Sequence, residues 1–440
     1  MNYFQSLPSE EVLLSWYKQH DHEAWHRVNA HIHTPYSFSS FDTIEAIFEQ
    51  AVSENIKALG INDFYVADGY DEFGHYASLN RIFPLFNIEF IGLMKAKQEQ
   101  GIRINDPNNP GRIYFSGKGL DHPFHTGFLN SLRLKSVRKE SQKQIRRMIE
   151  KVQKIIGEID RNISFDYSYV KKNFARQLVR ERHIAKAIRV LAEEKYRNVQ
   201  ERSAFYAKLF GINEYIDPER PDVTENEIRA RLLKAGGRAF VPEDERSFLP
   251  VQRIISTILQ AGGIPCYPVL LDDPKGHFTE FEADKERLMQ DLLQLNVRCI
   301  ELIPGRNSLN ILSEFVRYFH GHGFVVVFGT EHNAPGHLPL EVMARNKEPL
   351  PEDLLKINYE GACLIAAHQY LRSRKKQGFV YPCGTLAVEK KEQFEELGRA
   401  VITYFIAELR LQDRKPLTFQ RKTPGVFSRI FFQKHPDTIF

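Results

Sequence analysis

The run Arg27-Val28-Asn29-Ala30-His31-Ile32-His33 alternates in character and ends in two histidines. That alternation predicts a short strand. Residues two apart on a strand point to the same side, so His31 and His33 would share one site at the strand's end. Imidazole is a ligand for zinc, iron and manganese. Alone, a His-x-His pair is as readily a polar surface pair as a metal site. The neighbouring segments tip that balance.

Thr43 to Ser53 follows with apolar residues at helical spacing: Ile44, Ile47, Phe48 and Ala51. Ala58-Leu59-Gly60-Ile61-Asn62-Asp63, Phe86-Asn87-Ile88-Glu89-Phe90-Ile91 and Arg112-Ile113-Tyr114-Phe115-Ser116-Gly117 read as further strands. The alternation stops near residue 129. From there to about residue 248 the chain is charged and helical, with faces such as Ile145, Met148, Ile149, Val152 and Ile156. It then resumes with strands at Ile264-Pro265-Cys266-Tyr267, Val297-Arg298-Cys299-Ile300-Glu301-Leu302 and Phe324-Val325-Val326-Val327-Phe328-Gly329. The last is wholly apolar, as expected of a strand buried on both faces. Two more helices are predicted near 359–374 and 391–411. Strands alternating with helices argue for an α/β parallel sheet or barrel. The expected division is 1–128 and 249–413 as two parts of one barrel, 129–248 as a helical insertion, and 414–440 as a tail.

Metal-type side chains recur at the ends of these strands: Asp63, Glu89, and Glu331 with His332 in Gly329-Thr330-Glu331-His332-Asn333. In an α/β barrel the C-terminal strand ends converge on the site. At this point the chain resembles the PHP family, named for polymerase and histidinol phosphatase. His31-Ile32-His33 with Ser37 is similar to its first motif, and Ala58 to Asp63 to its second. Asn87-Ile88-Glu89 is similar to the segment that supplies a bridging carboxylate. Gly262-Gly263-Ile264-Pro265-Cys266-Tyr267-Pro268 resembles the strand ending in a His-Pro pair, and Gly329 to Asn333 the closing motif. The resemblance covers residues 27–128 and 250–335, and leaves the intervening helices outside.

The resemblance implies a distorted (β/α)7-type barrel that binds divalent Zn, Mn or Fe and hydrolyses a phosphate ester. It also exposes departures. Phe64, Tyr267 and Asn333 stand where the family has histidine, and Glu331 stands for an aspartate. The implied ligands are then His31, His33, Glu89 and Glu331, with His332 as a stand-in and His122 or His125 as one more, His122 being preferred. That set suits one or two ions rather than three, since catalytic zinc needs about three protein ligands. Asp63 would orient a ligand histidine or act as a base. Lys118 and Arg306 follow strands and would hold phosphate oxygens, Lys118 being the stronger candidate for its glycine-flanked turn. The ordinary alternative for both is a solvated cation.

Composition narrows the partners. Lys and Arg number 60 against 56 Asp and Glu, a net charge of +4 over 440 residues. So even a balance does not favour nucleic acid, which calls for a concentrated basic face. A PHP-type nuclease is therefore a lesser reading, beside a non-catalytic barrel that binds a ligand or partner. The four cysteines form no CxxC pair, which argues for reduced thiols. No signal peptide is read at the start and no run suits a membrane span. The expectation is a cytoplasmic protein acting on a phosphorylated small molecule, away from membranes.

Overall fold

The computed structural model describes residues 3–408 except 334, 335, 337 and 382. The expected tail, 414–440, lies outside them. Eight strands form the main sheet: β1 (Val28–Ile32), β2 (Ala58–Phe64), β3 (Phe83–Leu93), β4 (Arg112–Lys118), β5 (Leu249–Pro250), β6 (Ile264–Val269), β7 (Cys299–Leu302) and β8 (Val325–Phe328). Seven follow the order β1-β2-β3-β4-β6-β7-β8, and the two-residue β5 pairs with the end of β3. A bridge from Ile32 to Glu331 brings the two edges together, so the sheet is a nearly closed barrel.

One strand departs from the expected parallel array. β4 runs antiparallel to both β3 and β6. A parallel return needs a crossover of a dozen or more residues, usually a helix. The link from β3 to β4 holds only the short helix Lys95–Glu99, and Asn105 ties it down by bonding Tyr114 on both sides of its amide. Lys118, the last residue of β4, therefore pairs with Ile264, the first of β6. Its buried side chain stays inside the barrel and reaches Glu301.

The flanking helices follow from apolar periodicity. Helix Ile44–Ser53 buries Ile44, Ile47, Phe48 and Ala51, and the Thr43 hydroxyl caps it by accepting from the Ala46 amide. Helix Glu352–Ser373 is buried on most of its surface. Its Asn358 accepts from the Phe328 amide and donates to the Val28 carbonyl, filling the seam between β8 and β1. Buried backbone groups need such partners where no ladder supplies them.

The 32-residue helix Phe128–Ile159 opens the insertion. Its first half joins the barrel core through Leu134 and Val137. Its second half, from Ile145 to Ile156, shares a separate core with Ile184, Ile188, Tyr206 and Leu209 on later helices. Cys266, Cys299 and Cys363 are buried free thiols and Cys383 is an exposed one. No helix among the described residues is long and apolar enough to cross a membrane.

Candidate metal centre

His31 lies on β1 and His33 just beyond its end, both facing into the barrel and fully buried. Gly329 makes room for them: a Cβ there would lie 2.2 Å from that of His31. Glu89 enters from β3, level with Phe64 of β2. Nε2 of His31 is 3.4 Å from Nε2 of His33. The Glu89 Oε2 is 3.4 Å from the second ring and 3.9 Å from the first. Among the described residues, this is the one group of three acidic, histidine or cysteine side chains with donors close enough to hold a metal ion.

The surroundings fix which ring nitrogens face inward. Nδ1 of His31 is 2.9 Å from Glu301, an acceptor, and therefore carries the proton. Nδ1 of His33 is 3.3 Å from the Ser37 hydroxyl, which donates to Asp63 at 2.5 Å. Both Nε2 atoms then present lone pairs to one another. Glu89 Oε2 is buried and makes no hydrogen bond to a described residue. The Asn62 amide, 3.0 Å from Nε2 of His31, is a donor at one side of the cluster, but the partnerless Glu89 oxygen facing two imidazoles is unfavourable until a cation sits among them. Tetrahedral bonds of about 2.0–2.1 Å would separate donors by about 3.3–3.4 Å. The donor set fits a divalent ion.

Electrostatics agree with this geometry. Burial, with help from His31 and Arg180, holds His33 well below its ordinary value, so it stays neutral. Burial pushes Glu89 up, and Glu331 and Glu301 add to that. Lys118 and Arg306 offset only part of that.

Beneath the centre lies a buried ion pair. Glu301 of β7 receives Lys118 and Ser116 as well as His31. Burial works against its charge, but Lys118 and His31 hold Glu301 well below the usual carboxylate range. Glu301 did not figure among the sequence candidates. Its signal was present: a lone acid within the apolar strand Cys299-Ile300-Glu301-Leu302.

The remaining candidates divide. Asp63 is fully buried and accepts from the Thr34 amide, the Thr34 hydroxyl and Ser37. Glu331 lies beside His33, whose amide donates to its carbonyl at 2.8 Å. Its carboxylate is taken by Arg306 and by Asn333 at 2.8 Å. Glu331 and the next residue both have left-handed backbones, with φ of 61° and 53°. Such strain costs about 1–3 kcal/mol per residue and gathers at functional sites.

Three expectations need correction. Lys118 is wholly buried beneath the histidine centre, where its charge is taken up by Glu301 rather than offered to a phosphate at the mouth. His122 packs on Phe86 and pairs with Asp71 at 3.2 Å. Phe86 and Glu89 point to opposite faces of β3, so His122 is outside the barrel wall. The His332 ring turns away to the Thr330 hydroxyl and the Leu338 carbonyl, as adjacent residues tend to diverge. Among the altered positions, Phe64 stacks on His33 with ring centres 4.8 Å apart. Tyr267 instead faces away from the centre and donates to Glu282 at 2.7 Å.

A family model described as the PHP domain matches residues 29–217. The match runs through insertion helices that the motif resemblance left out, and stops before the second part of the barrel. No curated protein matches the chain. A candidate metal-dependent phosphoesterase from Bifidobacterium adolescentis is 15% identical, with a TM-score of 0.48, over 75% of this chain and 94% of its own. An amidohydrolase from Chromobacterium violaceum, solved with sulfate and no metal, is also 15% identical, with a TM-score of 0.47, over 76% and 96%. Over residues 29–217, from the His31-Ile32-His33 strand end onward, this chain is similar to the PHP domain.

Proposed function

We propose that this chain is a metal-dependent phosphoric ester hydrolase acting on a phosphorylated small molecule in the cytoplasm. The observation that carries the reading is the His31, His33 and Glu89 cluster, with a partnerless buried oxygen between two imidazoles. These three residues would hold a Zn, Mn or Fe ion. Such an ion lowers the pKa of bound water and neutralises charge developing on ester oxygens.

The protein's own residues have separate tasks. Glu301 keeps His31 in the tautomer that presents Nε2. Asp63 does the same for His33 through Ser37, and its saturated, buried carboxylate suits positioning rather than proton abstraction at the mouth. Arg306 is half exposed beside Glu331 and would meet ester oxygens. Glu331 would serve a second ion after giving up Arg306 and Asn333.

A second reading, a non-catalytic barrel, is favoured by Phe64. Its ring covers one face of His33 where the family resemblance calls for another nitrogen donor. Metal analysis of the purified protein, with hydrolysis of simple phosphomonoesters, tests the two. Near-stoichiometric Mn, Fe or Zn and metal-dependent phosphate release support the enzyme. A protein that is metal-free and resists reloading refutes it and leaves the binding module.

A further inference from the structure

The insertion sends arginines toward the barrel mouth without the carboxylates that usually accompany them. Arg180 precedes helix Glu181–Lys195, and its guanidinium carbon lies 4.6 Å from the centre of the Phe64 ring. Phe64 in turn stacks on His33. Arg182 donates to Asn333 at 3.2 Å. Its other terminal nitrogen, Nη1, is buried with no hydrogen-bond partner among the described residues. Arg229 opens the π-helical turn Arg229–Leu233, and its Nε is buried and partnerless in the same sense. π-helical turns are rare and often mark functional sites.

The charges do not balance locally. Among the described residues neither Arg180 nor Arg182 has a carboxylate within ion-pair distance. Arg229 has only Glu181, at 3.6 Å. Burial, and then repulsion from Arg229, pushes Arg182 down to about 10. Acids are not scarce in the insertion. Arg189 pairs with Glu193 and Glu225, and Arg231 with Glu214 and Glu227. Arg180 and Arg182, which reach Phe64 and Asn333, have no such ion pair among the described residues. Within ion-pair distance the three guanidinium groups meet one carboxylate, Glu181, while Glu331 and Glu225 act on Arg182 from farther off.

A phosphate group carries a charge of about −1.5 to −2 near neutral pH and presents three acceptor oxygens. Guanidinium forks match that geometry. We propose that Arg182 and Arg229, flanked by Arg180, form an anion subsite that takes a second phosphate of the substrate, apart from the ester at the histidine centre. The word substrate rests on the hydrolase reading; the anion subsite does not.

The test separates the two. Protein stripped with a chelator, and the His31→Ala/His33→Ala variant, are titrated with inorganic phosphate at low salt by calorimetry. Both should bind it, because the subsite needs no metal. Arg182→Gln and Arg229→Gln should each weaken binding at least tenfold. Arg182→Lys and Arg229→Lys keep the charge but lose the fork, and should fall between; they also serve if a glutamine variant misfolds. Arg231→Gln, on an arginine of the same turn that is paired with Glu214 and Glu227, should bind as the parent does. Metal-free protein that binds no phosphate, or binding indifferent to positions 182 and 229, overturns the subsite. Failure of ester hydrolysis leaves these measurements untouched.

Discussion

Glu301→Gln is the substitution with the largest expected cost. The side chain keeps its shape, and its one remaining oxygen can accept from His31. It loses the charge that compensates Lys118, which is fully buried. Breaking a buried pair by neutralising one partner costs about 3–5 kcal/mol, because the other charge stays behind in a poor solvent. Domains of 150–250 residues lose about 2–4 °C in melting temperature per kcal/mol. Taking the lower figure for this larger chain, the midpoint should fall by about 6–10 °C. Chelator-treated protein, followed by circular dichroism, keeps metal linkage out of the comparison. Lys118→Met should cost a similar amount. The double variant should be more stable than either single one, since no unpaired charge remains. A fall of under about 2 °C, or single effects that simply add in the double variant, would refute an interdependent buried pair.

The other predictions concern metal, ligand restoration and pH. His31→Ala/His33→Ala should lose most bound metal by elemental analysis while keeping its circular dichroism; unchanged metal content would sink the centre. Phe64→His should raise metal stoichiometry because that ring already lies against His33, whereas Tyr267→His should not, because Tyr267 faces Glu282. Equal gains at both positions would show the site to be misplaced. His368 is buried and neutral, donating to the Gly262 carbonyl and accepting from the Phe379 amide; burial lowers it to about 4. The unfolded chain protonates this residue first as acid is added, so its share of stability is complete above about pH 6.5 and fades toward pH 4. The loss is about 3 kcal/mol. His368→Asn should flatten the fall in melting temperature across that window, and an unchanged slope would count against it.

Much of the barrel was legible because period-2 strands and apolar helical faces are local signals. His31, His33 and Glu89 were legible for the same reason: each sits on a strand whose alternation tells which way it points. Lys118 was misread because strand direction is not local. Its glycine-flanked turn is the same for either strand direction, and the link from Met94 to Gly111 is long enough for a parallel crossover, so it gives no sign of reversal. His122 was misread because it follows the strand, where alternation no longer tells which side of the wall a ring occupies. Tyr267 shows a different limit. Matching it to a motif position ignored that Cys266, its neighbour, is the residue on the Lys118 and Glu301 side. Glu301 was overlooked because a motif search does not ask why a charge interrupts an apolar strand. Arg182 and Arg229 lie 47 residues apart, and nothing short of the fold brings them together.

The reversal of β4 also sets the gearing of the insertion. The chain leaves β4 at the far end of the barrel, where Gly127 and Asn130 meet Gln260. It must climb the wall to reach the mouth, and it does so as one rod whose Arg138 touches the Tyr65 carbonyl just past β2. A rod advances about 1.5 Å and turns about 100° per residue. Removing three residues from it would swing everything beyond by about 300° and carry the arginines off the site. Removing seven would nearly restore the heading while drawing the insertion down by about 10 Å. Length and phase are locked together here, so this helix tolerates side-chain exchange on its outer face far better than any change in the number of its residues.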